Sequence, residues 1–282
     1  MLGRDRIEYK TPEQIRLMRR AGLVVAQALE AVRAAARPGV TTAELDAVAA
    51  EVIAAAGATP SFLGYQGYPA VLCVSVNDEI VHGIPGERVV EDGDVVSVDC
   101  GAIVEGWHGD SAFSMVVGEG DRLDHELVET TREAMWAGIA ALATADRLSA
   151  VGHAVEDTVD LALAEGRNGG RRYGVVEEYV GHGIGSAMHQ PPEVLNYRSR
   201  DRGPRLRPGM CLAIEPMLVR GERHTQVLED DWTVVTADGS RAAHWEHTVA
   251  VTESGLWVLT APDGGAAELA ARGASVAPLG ED

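Results

Sequence analysis

Asp99, Asp110, His182, Glu215 and Glu246 have the residue types of metal ligands and sit where a solvated charge is least at home. Each lies in a stretch that reads as a strand or strand edge, beside glycine, proline or β-branched residues. None lies on an obvious solvated helix face. Four carboxylates and one imidazole are too much charge to bury unless a cation neutralises it. Two divalent ions would balance the four carboxylates, and the chemistry such a pair supports is hydrolysis by an activated water.

The local patterns differ in how strongly they point to a ligand. In VSVDCGA, Asp99 ends a strand-like run, and Asp110 follows eleven residues later after His108-Gly109. Taken alone these are a pair of turn aspartates. A hairpin returning through Glu105-Gly106 would set them side by side, where two like charges repel until a proton or a cation intervenes. GHGIGSAMH places His182 between glycines that let backbone approach an ion or ligand closely. A hydrogen-bonded core histidine competes with that reading. As a phosphate loop the segment fails, because Ser186 stands at the last glycine position of GxGxxG.

Glu215 is the least ordinary residue. It falls inside MCLAIEPML, an apolar run that reads as a buried strand, where an unpaired carboxylate costs several kcal/mol. Pro216 directly after it points to a bulge or edge that turns the carboxylate toward a cavity. Glu246, in HWEHTVAV, stands at the entrance to the last long strand. HWEH is not the HExxH of helical zinc proteases, and neither GxSxG nor a Walker pattern occurs. His82, in NDEIVHGIPGE, reads on its own as a turn histidine.

The elements that must hold these residues come in blocks. Thr11-Pro12-Glu13-Gln14 opens a helix that Pro38-Gly39 stops, and Thr41 with Glu44 opens a second that ends near Gly57. Strand patterns run from Val71 to about Gly118, helices return at 121–144 and 149–166, and strands dominate again from Met210 to Thr260. Two helices then strands, twice over, is a hint of two similar halves. It excludes an all-α bundle and a doubly wound parallel sheet, leaving an α+β fold. Residues 1–262 are expected to form a single domain, and 263–282, poor in large apolar residues, a flexible tail.

Composition narrows the setting. A net charge of −19 argues against nucleic-acid binding. Cys73, Cys100 and Cys211 form no CxxC pair, which suits a reducing compartment. The opening MLGRDRIEYKTPEQ has no apolar core of signal-peptide length, and no run approaches the roughly 20 apolar residues of a membrane span. A soluble cytoplasmic protein is expected.

In this order, VSVDCGA with Asp110, GHGIG, AIEPM and HWEHTV resemble the pita-bread metallopeptidases. LGYQGYP and NDEIVHGIPG resemble type I methionine aminopeptidases in particular, and the similarity runs from about residue 8 to residue 260. The resemblance implies a pseudo-twofold fold with a central antiparallel sheet flanked by helices. It implies removal of the initiator methionine from nascent chains whose second residue is small, by a monomer that works near the ribosome. It implies two divalent ions, of Co, Mn, Fe, Ni or Zn. Asp99 and Asp110 would hold one, Asp110 and Glu246 would bridge to the second, and His182 and Glu215 would complete it. Glu215 would also act as the base, with His82 and His189 as catalytic histidines. The methionine pocket would draw on Tyr65, Tyr68, Cys73 and Trp232, with Phe62 and Met188 nearby and His82 and His189 at its edge. Met188, Gln190 and Gln66 depart from the phenylalanine, acidic residue and histidine usual there, which bears on pocket shape. An X-Pro peptidase and a non-catalytic peptide-binding module of the same fold are the alternatives. The first usually carries an extra N-terminal domain, and the second characteristically loses ligands.

Overall fold

Both helix starts expected in the first fifth of the chain form as capping boxes. Thr11 and Thr41 each accept from the backbone three residues on, while Gln14 and Glu44 reach back to the cap N–H. The computed structural model describes residues 6–280. The first five residues of the segment expected to lack a signal peptide, and the last two of the expected tail, lie outside the described residues. Five helices are described: α1 (Pro12–Ala35), α2 (Thr42–Ala55), α3 (Arg122–Ala141), α4 (Ala150–Ala164) and α5 (Ala266–Ala271).

The strands are short apart from one hairpin. They are β1 (Thr59–Pro60), β2 (Leu72–Val76), β3 (Glu79–Val81), β4 (Val95–Val104), β5 (Trp107–Val116), β6 (Gly174–Val175), β7 (Gly181–Gly183) and β8 (Gln190–Val194). After them come β9 (Cys211–Ile214), β10 (Met217–Val219), β11 (Thr225–Val227), β12 (Val234–Thr236), β13 (Ala242–His244), β14 (Glu246–Val251) and β15 (Leu256–Val258). A nine-stranded sheet runs β1-β4-β5-β14-β9-β7-β8, with β2 also on β4 and β15 also on β14. Every pair in it is antiparallel. Two three-stranded sheets, β13-β10-β6 and β11-β12-β3, flank it.

The two halves read from the block order are present. Helices α1 and α2 cover β2, β4 and β5 through a core of Val25, Val32, Leu45, Ile53, Val74 and Val98. Helices α3 and α4 cover β9, β14 and β15 through Met135, Ile139, Val155, Leu212, Val249 and Val258. Burial of these apolar faces is what holds the site-bearing strands in place.

Against the first half, α1 lies directly on the hairpin backbone. A Cβ on Gly109 would stand 2.6 Å from Gly22 N, and one on Gly22 would collide with the Leu259 carbonyl. Gly109→Ala is therefore expected to cost about 1–3 kcal/mol, as overpacking does. A urea titration reads this as a lower midpoint at unchanged slope.

The expected flexible tail is a correction. Gly265 takes a left-handed conformation and starts α5, whose Leu269 is fully buried against the second-half core. Further on, Ala277 N donates to Leu256 O at 2.7 Å, and the Arg16 guanidinium donates to the carbonyls of Leu279 and Gly280. One leucine and a few backbone bonds suffice where composition suggested nothing to bury. No helix among the described residues is long and apolar enough to cross a membrane.

Candidate metal centre

The Glu105-Gly106 turn has both residues at positive φ, 49° and 83°, the geometry of a two-residue hairpin connection. It brings Asp99 and Asp110 back onto one face. The register pairs Asp99 with Ala112 and Gly101 with Asp110, so the aspartates are diagonal neighbours rather than directly opposite. Nor does Asp99 end its strand: it lies in the middle of β4. On the far side of β5, Glu246 pairs with the same Ala112, so Asp99 and Glu246 flank one small residue in a single row.

Backbone bonds fix the aim of these side chains. The Thr248 hydroxyl donates to Asp110 O at 2.8 Å and accepts from Asp110 N at 3.1 Å. Ser111 Oγ donates to Glu246 O at 2.6 Å. At Glu215-Pro216 the chain breaks between β9 and β10, as the proline suggested, and Asn196 Nδ2 holds Glu215 O at 3.2 Å.

His182 lies on β7. Its flanking glycines serve the sheet rather than a ligand. A Cβ at Gly181 would strike Ala213 O, and one at Gly183 would strike Pro191 O. Their smallness lets β7 sit close to its neighbours, and His182 comes within 3.4 Å of Glu215 Oε1 and 3.8 Å of Asp110 Oδ2.

All five expected ligands thus converge. Asp110, His182, Glu215 and Glu246 are buried, and Asp99 lies beside them in the same cavity. Burial pushes the Asp99 carboxyl up to about 7, and burial followed by neighbouring carboxylates pushes Asp110, Glu215 and Glu246 well above their usual range. Burial drives His182 down to about 3, so its ring is neutral at physiological pH and its short contacts are donor spacings, not ion pairs. Asp99 Oδ1, Asp110 Oδ1, Glu215 Oε1 and Glu246 Oε1 are buried and lack a hydrogen-bond partner. Orphaned oxygens on four crowded carboxylates, with a neutral imidazole among them, fit divalent cations and little else. Asp110, His182 and Glu246 present ligand atoms all within 4.8 Å of one another.

That electrostatic strain carries a pH signature. Stability contributed by the Asp99 proton is complete below its ordinary 3.8 and is lost as pH rises through about 7. Chelated protein should therefore melt at a lower temperature at pH 8 than at pH 5. Added Mn or Co should restore the high-pH value; a flat profile in chelator would contradict the burial of unneutralised carboxylates.

A cavity of about 240 Å³ joins this cluster to an aromatic wall. Phe62, Tyr65, Tyr68, Cys73 and Trp232 line it, together with His82 and His189. Tyr68 and Trp232 meet edge to face at 5.0 Å, and His82 stands edge-on to Trp232 at 6.2 Å. Tyr65 Oη lies 2.8 Å from His189 Nδ1, and the His189 ring is 4.4 Å from that of His182. Burial pulls His82 down to about 4 and lowers His189 as well. Met188 does not line the cavity. It is buried behind it, in one apolar cluster with Phe62, Tyr68 and Cys73. Gln190 accepts from the Lys10 ammonium at 3.1 Å and donates to Ser186 Oγ at 3.1 Å, so its amide ties the loop before His189 to the segment entering α1.

Several residues near the site carried no signal that sequence reasoning used. Tyr179 meets the His82 ring at 5.6 Å, and His108, buried, holds Ser61 Oγ at 3.0 Å. His244 is also buried and stands 3.8 Å from Glu215 Oε2. Its place in HWEH could have flagged it, since Glu246 of that motif was already a candidate.

Comparison with known proteins agrees with this geometry. The model of the family described as Metallopeptidase family M24 matches residues 16–253. Methionine aminopeptidase 1 of Mycobacterium tuberculosis is 52% identical over 259 residues, covering 92% of this chain and 96% of that one. Methionine aminopeptidase 1 of Bacillus subtilis is 45% identical over 251 residues, covering 89% and 98%. The crystal structure of methionine aminopeptidase from Thermotoga maritima superposes with a TM-score of 0.85 at 42% identity, over 90% of this chain and 99% of that one.

Proposed function

The chain belongs to metallopeptidase family M24 and has its pita-bread fold, and from that premise we propose that it is a metal-dependent methionine aminopeptidase. Its substrates are nascent polypeptides whose second residue is small. The observation that carries the proposal is the single cavity in which Asp99, Asp110, His182, Glu215 and Glu246 face an aromatic and sulfur-bearing wall.

Asp99 and Asp110 would hold one divalent ion, and Asp110, His182, Glu215 and Glu246 a second. Ions held there would supply an acidified water and a polarised carbonyl, whichever of Co, Mn, Fe, Ni or Zn is available. Glu215, buried at the centre of the cluster, would take a proton from the attacking water and pass it to the leaving amine. Tyr65 Oη pairs with His189 Nδ1, and in the tautomer in which the phenol donates, the His189 Nε2 proton would be directed to the scissile carbonyl oxygen as charge develops. His82, neutral and held edge-on by Trp232 and Tyr179, faces the scissile nitrogen. An unbranched thioether would pack against Phe62, Tyr65, Tyr68 and Trp232 through dispersion and sulfur–aromatic contact, with Cys73 also on the lining. Met188 shapes that wall from behind.

His182 and His189 also border a larger, open cavity of about 520 Å³ that leaves room for the rest of a polypeptide. A cytoplasmic monomer acting close to the ribosome suits such a substrate. The test is a pair of peptides given to Mn- or Co-loaded protein, Met-Ala-Ser and a matched X-Pro peptide. Release of free methionine with the X-Pro peptide left intact is the expected result; the reverse would keep the hydrolytic centre and overturn the substrate.

A further inference from the structure

His244 closes β13 and is only 2% exposed, yet its Nε2 has no hydrogen-bond partner. Its backbone is fixed on both sides by one hydroxyl: His244 N donates to Ser114 Oγ at 2.8 Å, and Ser114 Oγ donates to His244 O at 2.8 Å. The backbone is thus held in place, and the ring reaches Glu215 and Glu246. Its Nε2 is 3.8 Å from Glu215 Oε2, too long for a hydrogen bond. The spacing repeats that of His182 Nε2 and Asp110 Oδ2, also 3.8 Å. Bonds of about 2.0–2.2 Å from one ion put two of its donors about 3–4 Å apart.

Glu215 thus stands between two imidazoles. Its Oε1 faces His182 at 3.4 Å and its Oε2 faces His244. Glu215, His244 and Glu246 present donor atoms all within 4.8 Å of one another, a second cluster that shares Glu246 with that of Asp110 and His182. We propose that His244 is a further metal ligand, holding with Glu215 and Glu246 a divalent transition-metal ion on the side of Glu215 away from His182. The inference rests on the metal-centre reading above. A second imidazole adds affinity for Co, Ni or Zn, for which nitrogen donors are well suited, more than for the harder Mn.

Co titrated into the chelated protein tests this without relying on turnover. Proton NMR of the Co form shows shifted, exchangeable ring N–H signals from ligating histidines. Two are expected, from His182 and His244; a single signal at full Co occupancy overturns the role of His244 while leaving the metal centre intact. In calorimetric titrations His244→Gln is expected to weaken one Co equivalent at least tenfold and to change Mn affinity less than threefold. Co isotherms that coincide for the two proteins overturn the proposal. If the variant does not fold, the spectrum of the unsubstituted protein decides alone. No Co binding by the unsubstituted protein would overturn both this proposal and the metal centre.

Discussion

Replacing Glu215 with glutamine lowers kcat on a methionyl peptide by about 100- to 10,000-fold while KM moves far less. The amide keeps the shape and an oxygen donor but accepts no proton. What is lost is the group that takes a proton from the attacking water and returns it to the amine. Burial among Asp110, Asp99 and its own apolar surroundings raises the proton affinity of Glu215, which suits that duty. Because Glu215 is also proposed as a ligand, the comparison has to be made at matched metal content. Activity surviving within about tenfold would sink its assignment as base.

Asp110→Asn abolishes turnover and separates the two faces of the site's energetics. Asp110 is enclosed by other carboxylates, with Glu246 and Asp99 both raising its proton affinity on top of burial. In chelated protein near neutral pH, folding must either bury the Asp110 charge or take up a proton, and asparagine requires neither, so the variant should melt higher than the unsubstituted protein. On adding Mn or Co the order should invert. A ligand at about 100 times its Kd stabilises by about 2.7 kcal/mol, and the variant forgoes most of it. Thermal melts with and without metal check both halves. A variant that is less stable than its parent in chelator would mean that Asp110 is a structural residue, not a crowded ligand.

Much of this was legible in the chain because local signals agreed with the global fold. The Thr11 and Thr41 capping boxes, the Glu105-Gly106 turn and the Glu215-Pro216 break each have a short-range cause, and each formed as expected. The charge argument for the five ligands is equally local: an acid inside an apolar run needs a reason. What stayed hidden depended on packing between distant segments. The glycines around His182 read as ligand contacts, whereas they admit the carbonyls of Ala213 and Pro191, which only sheet assembly brings near. Met188 read as a pocket residue, but its neighbour Gly101 leaves space that draws it behind the wall. Leu269 alone could not announce that the tail would fold, since its partners lie in the second-half core. His244 had a local cue in its nearness to Glu246, but its approach to Glu215 depends on how distant strands assemble.

The most direct test of the account is an anomalous difference map from crystals grown with Co, recorded at the Co absorption edge. Strong peaks enclosed by Asp99, Asp110, His182, Glu215 and Glu246, and lost when the crystals are soaked in chelator, are the predicted result. A map without density among those side chains, at Co concentrations that saturate binding in solution, would contradict a metal centre at this site.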